Sequence, residues 1–130
     1  MKIWVDDIRP APKGYIWCKT VHSTKFLISL FERKETISLW EYTLINEAID
    51  SANIEYSGEL EDYLFDDVIE VLDLDHDAGK YAKYGGDFIK ILDWMEETGR
   101  SYPVRFHTAN PVGKINMELI ARKNGWKIIK

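Results

Sequence analysis

Three short polar clusters hold most of the residues able to do chemistry in this chain of 130 residues. Asp6-Asp7 halts the apolar run Lys2 to Val5, and Asp75-His76-Asp77 halts the run Val68 to Leu74. His107-Thr108-Ala109-Asn110 halts a third run, Pro103 to Phe106. Taken alone, each has a plain structural reading: Asp is a common turn former and helix cap, and either histidine can simply be a satisfied loop residue. Together they point to a site, because two of the three histidines in the chain stand at strand ends beside carboxylates. Carboxylates that converge repel one another unless a cation neutralises them or one keeps its proton. Hard oxygen donors with open positions suit magnesium, which keeps several waters and takes one or two carboxylates plus phosphate oxygens.

The elements that must position these clusters alternate between strand and helix. Lys2 to Val5 predicts a first strand, followed by a loop broken by Pro10 and Pro12, since proline lacks an N–H and restrains the residue before it. Tyr15 to Thr20 predicts a second strand. The link is short for a parallel crossover, which usually takes roughly a dozen residues or more. The second strand is therefore either an unusual short crossover or an antiparallel edge. Ser23 predicts the N-cap of a helix that places Phe26, Leu27, Leu30 and Phe31 on one face. Leu44, Ile45, Ala48 and Ile49 predict a second amphipathic helix, and Ser57-Gly58 a turn. The acidic residues from Glu59 to Asp67 read as solvated surface.

Val68 to Leu74 predicts the central strand, with Asp73 structural or exposed upon it. A helix is expected over Asp87 to Glu97, ending at Gly99, and a strand over Pro103 to Phe106. Pro111 to Gly113 predicts a turn, Lys114 to Lys123 a helix, and Trp126 to Ile129 a last strand. Alternating strands and helices imply a mostly parallel sheet with helices on both faces. In such sheets ligands bind outside the carboxyl ends of the strands, where strand order reverses. The first, third and fourth strands are then expected side by side, with the third in the middle. One domain is expected over residues 1–130, with an insertion-like segment at about 35–67.

Composition narrows the function. Hydrophobic residues make up 45% and charged residues 30%, the balance of a folded globular protein and not a disordered one. No apolar run reaches the roughly 18 residues of a membrane span, and the first residues lack a signal-peptide layout. The formal net charge of −5 argues against broad binding to duplex nucleic acid, but admits a small phosphorylated ligand. Cys18 is the single cysteine, so no internal disulfide is expected. A cytoplasmic home follows most simply, with Cys18 a buried small hydrophobe. No glycine-rich phosphate loop and no cysteine pair for zinc is present.

Five segments together resemble the cyclic-phosphate processing receiver-like domains, relatives of response-regulator receivers. They are Trp4 to Pro12 (WVDDIRPAP), the aromatic strand YIWCKT, Leu74 to Gly79 (LDHDAG), Gly85 to Trp94, which opens GGD, and HTANPVG with Met117 beyond. The resemblance implies a flavodoxin-like, receiver-like three-layer sandwich: a mostly parallel five-stranded sheet with a reduced first crossover and an acidic pocket for a divalent cation. Asp6 and Asp7 match the metal-binding pair of receivers. Asp75 matches their phosphoacceptor aspartate, with Asp73 as the competing choice, and Thr108-Ala109 matches their hydroxyl-plus-alanine step. The receiver's Lys-Pro after the fifth strand is missing, which argues against ordinary phosphorelay.

The function expected is metal-dependent ring opening or hydrolysis of a small cyclic phosphate or related ester, borne by a small ligand or an RNA end. Asp6, Asp7 and Asp75 are the expected ligands of Mg2+ or Mn2+. His107 is expected to protonate a leaving oxygen, an imidazole being the side chain that titrates near neutral pH. Asp77 is expected to orient His76 or to complete the outer shell of the metal, and both are counted with the catalytic group. Arg9, Thr108, Asn110 and Gly113 are expected around the phosphate, Arg9 because its planar fork suits phosphate oxygens. The alternatives are a non-enzymatic pseudo-receiver that binds a ligand or partner, and a phosphoacceptor modified at Asp75.

Overall fold

A computed structural model describes residues 1–130, the side chain of Asp50 excepted. In chain order the strands are β1 (Lys2–Val5), β2 (Tyr15–Cys18), β3 (Ile54–Glu55), β4 (Val71–Leu74) and β5 (Val104–Phe106). The helices are α1 (Val21–Glu32) after β2, α2 (Leu39–Ser51) before β3, α3 (Leu60–Leu64), α4 (Ile89–Thr98) and α5 (Pro111–Lys123). Single 3-10 segments occupy Lys34–Thr36 and Gly79–Tyr84.

The five strands form one sheet in the order β3-β2-β1-β4-β5. All neighbours are parallel except β2 and β3. β4 lies between β1 and β5, which puts the three polar clusters at adjacent strand ends. The second strand resolves as parallel to β1, reached by the Asp6–Gly14 loop with no helix. The antiparallel edge is instead β3, too short to announce itself in the sequence.

Register separates the two faces of the sheet, because residues paired across parallel strands point the same way. Ile3, Val5, Ile16, Cys18, Leu72, Leu74, Val104 and Phe106 form one face. They share a single hydrophobic cluster with Leu27 and Ile28 of α1, Ile49 of α2, Leu60 of α3, Ile91 and Met95 of α4, and Met117 of α5. The opposite face carries a row running Glu55, Trp17, Trp4, Asp73 and Arg105, none of which belongs to that cluster. Its cover is the reduced crossover: the Trp4 indole donates to the Arg9 carbonyl at 2.9 Å and the Trp17 indole to the Asp6 carbonyl at 2.6 Å. On this face the third layer is a proline loop rather than a helix.

Several local expectations need correction. Thr20, not Ser23, caps α1; Ser23 is the reciprocal partner three residues on, completing a capping box. Pro111 to Gly113 are the first turn of α5, not a separate turn, because Asn110 caps the helix and proline loses nothing at its first position. Of Trp126 to Ile129 only a bridge from Ile128 to Val104 forms, since the Trp126 N–H goes to the Ala121 carbonyl at the end of α5. β4 begins at Val71, leaving Val68 exposed at 60%. In α2, Ile45 and Ile49 are buried as expected, but Leu44 and Ala48 face outward.

Cys18 is fully buried, and burial pushes its thiol up to about 12, so it is a packing residue. Among the described residues no helix is long and apolar enough to cross a membrane.

Candidate functional site

The sheet ladder continues one residue past the strands and fixes the level of the site. Asp75 N–H donates to Val5 O at 2.9 Å, and His107 N–H donates to Leu74 O at 3.0 Å. Asp6, Asp75 and His107 therefore leave β1, β4 and β5 at the same edge. Carboxylate oxygens of Asp6, Asp7 and Asp75 lie within 4.8 Å of one another, close enough to share a metal ion.

The three acids are not equivalent. Asp6 is 1% exposed. Its Oδ1 accepts from the N–H groups of Ile8 and Arg9 at 2.9 and 2.8 Å, an Asx turn that shapes the start of the loop. Its Oδ2 contacts His107 Nε2 at 2.8 Å, with Arg9 Nε at 3.8 Å. A carboxylate has about four lone-pair sites, so Asp6 has little coordinating capacity left. Asp75 spends one oxygen on the adjacent His76 N–H at 2.8 Å. Asp7 accepts a hydrogen bond from its own backbone N–H, and its carboxyl is nevertheless held above the ordinary value, by burial first and then by the charges of Asp6, Asp75 and Asp77. Burial and neighbouring like charges both disfavour the ionised carboxylate.

Gly79 makes room for Asp7. Its φ is +54°, and a Cβ there would stand 2.5 Å from Asp7 Oδ2. The glycine of LDHDAG thus serves both a left-handed turn and the approach to a carboxylate.

His107 is clamped. Nδ1 lies 2.7 Å from Asp73 Oδ1, and Nε2 lies 2.8 Å from Asp6 Oδ2. The ring stacks on Trp4 with centroids 3.7 Å apart and planes 4° from parallel. Two contacts between a ring nitrogen and a carboxylate need two protons among three groups. Either the ring is imidazolium between two carboxylates, or one acid keeps its proton. Asp73 is wholly buried and also accepts from Arg105 Nη1 at 3.1 Å. The option of an exposed strand position for Asp73 is corrected, because β1 and β5 flank it and it is wholly buried.

His76 differs. Its Nδ1 contacts Asp77 Oδ1 at 2.8 Å, and among the described residues Nε2 has no hydrogen-bond partner. Asp77 is held below the ordinary carboxylate range, chiefly by this hydrogen bond and further by Asn110. The ring rests on Gly113, where a Cβ would stand 2.5 Å from His76 Cγ. His76, Asp77 and Asp87 form a second group with ligand atoms within 4.8 Å, and Asp87 accepts from the Ala78 N–H at 2.9 Å.

The residues expected around phosphate surround the same crevice with unequal freedom. Arg9 reaches across it, half exposed, with Nη1 3.4 Å from the His107 carbonyl. Asn110 caps α5 by accepting from Gly113 N–H at 2.9 Å and turns its amide towards Asp77, so both groups are engaged. Thr108 Oγ1 accepts from Asn110 N–H at 3.1 Å. Sequence reasoning missed Trp4 and Arg105. The signal was available in period two: Trp4 and Arg105 each stand two residues before a polar strand-end residue and so share its face.

A receiver-like α/β sheet with an acidic cluster at its carboxyl edge defines an acidic-pocket domain whose carboxylates could hold a metal ion. Residues 46–123 match the family model described as the cyclic-phosphate processing receiver domain, and the chain belongs to that family. The family's description points to a role in cyclic-phosphate processing. The matched span contains Asp75, His76 and His107; Asp6 and Asp7 lie before it and are brought to it by the pairing of β1 with β4. No curated protein and no solved structure gives a significant match.

Proposed function

We propose that the protein is a metal-dependent phosphoesterase that opens a small cyclic phosphate by hydrolysis. The observation that carries this reading is the pairing of an under-neutralised acidic cluster with a histidine that keeps one ring nitrogen free. Asp7 and Asp75 would hold Mg2+ or Mn2+, with Asp6 giving a remaining lone pair; three carboxylates are a fitting hard-oxygen set. Such a cation, when bound, supplies neutralisation of phosphoryl charge and acidifies water.

The chain's own groups supply the rest. With Nδ1–H donated to Asp77, His76 carries its lone pair at Nε2 and takes the proton of the attacking water as general base. The new P–O bond to that water forms as the ring P–O bond breaks. The released alkoxide is protonated from solvent, to which Nε2 returns its proton. Arg9 steadies a phosphoryl oxygen through its fork. His107, both nitrogens engaged, orients Asp6 rather than donating a proton to the leaving group. Beside the loop, a groove of about 520 Å³ whose walls include Pro10, Tyr15, Trp17, Tyr56 and Tyr63 offers rings to the organic part of the substrate.

The test is turnover of five-membered cyclic phosphates with good and poor leaving groups by wild type, His76→Ala and His107→Gln. A base role predicts that His76→Ala loses roughly a hundredfold or more on both substrates. If the His76→Ala variant is as fast as wild type, the dyad is removed from the mechanism. If the wild type turns over nothing in metal but is labelled by acetyl phosphate, Asp75 is instead a phosphoacceptor.

A further inference from the structure

We propose a second ligand site, for a polyphosphate-class anion, in the cavity between β5 and α5. This cavity measures about 470 Å³ and is lined by Arg105, Lys114, Arg122 and Lys130, with Glu118 the one acidic side chain among its walls. Phe106 and Ile128 are also part of its lining. The volume lies within the roughly 300–1,000 Å³ of ordinary small-ligand pockets.

The arrangement is built by the fold. Lys114, Glu118 and Arg122 recur every fourth residue and so share one face of α5. Arg105 alternates with buried Val104 and Phe106 along β5. Its Nη1 is tied to buried Asp73 at 3.1 Å, so its charge is already met by a carboxylate. Arg122 touches Glu118 at 3.5 Å. Among the described residues the ammonium groups of Lys114 and Lys130 have no partner. The two unpaired ammonium groups, beside two guanidinium groups already paired with carboxylates, add positive charge to one concavity in a chain of formal net charge −5. Arginine forks with mobile lysines are the donor set that suits neighbouring phosphoryl groups. The site is separate from the acidic crevice and needs no divalent cation.

The experiment is isothermal titration calorimetry of the full chain with inorganic pyrophosphate in EDTA. Chelation removes any cation-bridged binding at Asp7 and Asp75, so the result is independent of the proposed hydrolysis. Saturable binding is expected, weakening as salt rises. It should fall at least tenfold in Lys114→Gln combined with Lys130→Gln, exposed substitutions that leave the fold intact. Asp7→Asn combined with Asp75→Asn should bind pyrophosphate at least as well as wild type. The proposal is overturned if no saturable binding occurs, if the lysine variant binds like wild type, or if the aspartate variant loses the binding.

Discussion

Replacing His107 with alanine tests the buried clamp. Among the described residues, the substitution removes the one side chain that contacts both Asp6 and Asp73, whose side chains are buried. Removing one partner of a buried charged pair typically costs about 3–5 kcal/mol, since the other is left unpaired in a poorly solvated place. Arg105 remains on Asp73 and two N–H groups remain on Asp6, so the lower end, about 3 kcal/mol, applies to the clamp as a whole. Loss of the stack on Trp4 adds about 0.5–1.5 kcal/mol. A total near 4 kcal/mol is a large part of the roughly 5–15 kcal/mol that stabilises a domain. At about 3–5 °C per kcal/mol for this length, the Tm should fall by roughly 12–20 °C. The assay is urea and thermal unfolding by circular dichroism at pH 7. In an Asp73→Asn background the same substitution should cost at least about 1 kcal/mol less, the coupling expected of groups in contact. A loss under about 1 kcal/mol would refute the clamp.

Other consequences follow from the acidic cluster and its glycines. Saturating Mg2+ or Mn2+ at about a hundred times its Kd should add about 2.7 kcal/mol, read as a Tm rise that Asp7→Asn with Asp75→Asn abolishes; an equal rise in that variant would move the site elsewhere. Asp7 has its folded carboxyl raised above 3.8, so the folded state holds the proton more tightly and stability is lost as pH rises from about 3.8 through the raised value. In EDTA, Asp7→Asn should therefore unfold later than wild type at pH 7 and show no such advantage below pH 4, which melting curves across that range would check. Gly79→Ala forces a strained φ and a Cβ against Asp7, worth about 1–3 kcal/mol, and should weaken Mn2+ affinity measured by electron paramagnetic resonance. Gly113→Ala should leave the helix content of α5 intact yet displace the His76 ring, lowering turnover while circular dichroism is unchanged.

Much of this was legible in the sequence. Apolar runs that end in Asp-Asp, Asp-His-Asp and His-Thr-Ala-Asn mark where β1, β4 and β5 stop, and the shared place of those clusters predicted their adjacency; the middle strand of the five, however, is β1 and not β4. The direction of β2 was not legible, since the nine residues from Asp6 to Gly14 are fewer than a parallel crossover usually takes, and the loop returns without a helix through a turn at Gly14. Nor was β3, whose two residues show no period. The role of His107 was hidden for a different reason. A histidine at a strand end reads as a free acid until the register reveals Asp73 one strand over and Asp6 two strands over, each within hydrogen-bond reach of a different nitrogen. His76, by contrast, is oriented by its own neighbour, Asp77, and that pair was visible in three consecutive letters.

The most direct test of the central claim is a phosphorus-31 NMR time course of a five-membered cyclic phosphate mixed with the protein and Mg2+ or Mn2+. The cyclic resonance should give way to that of a phosphate monoester, at a rate lost in EDTA and lowered by a hundredfold or more in Asp7→Asn with Asp75→Asn. Persistence of the cyclic resonance with wild type and metal, or equal conversion by the double variant, would contradict the account.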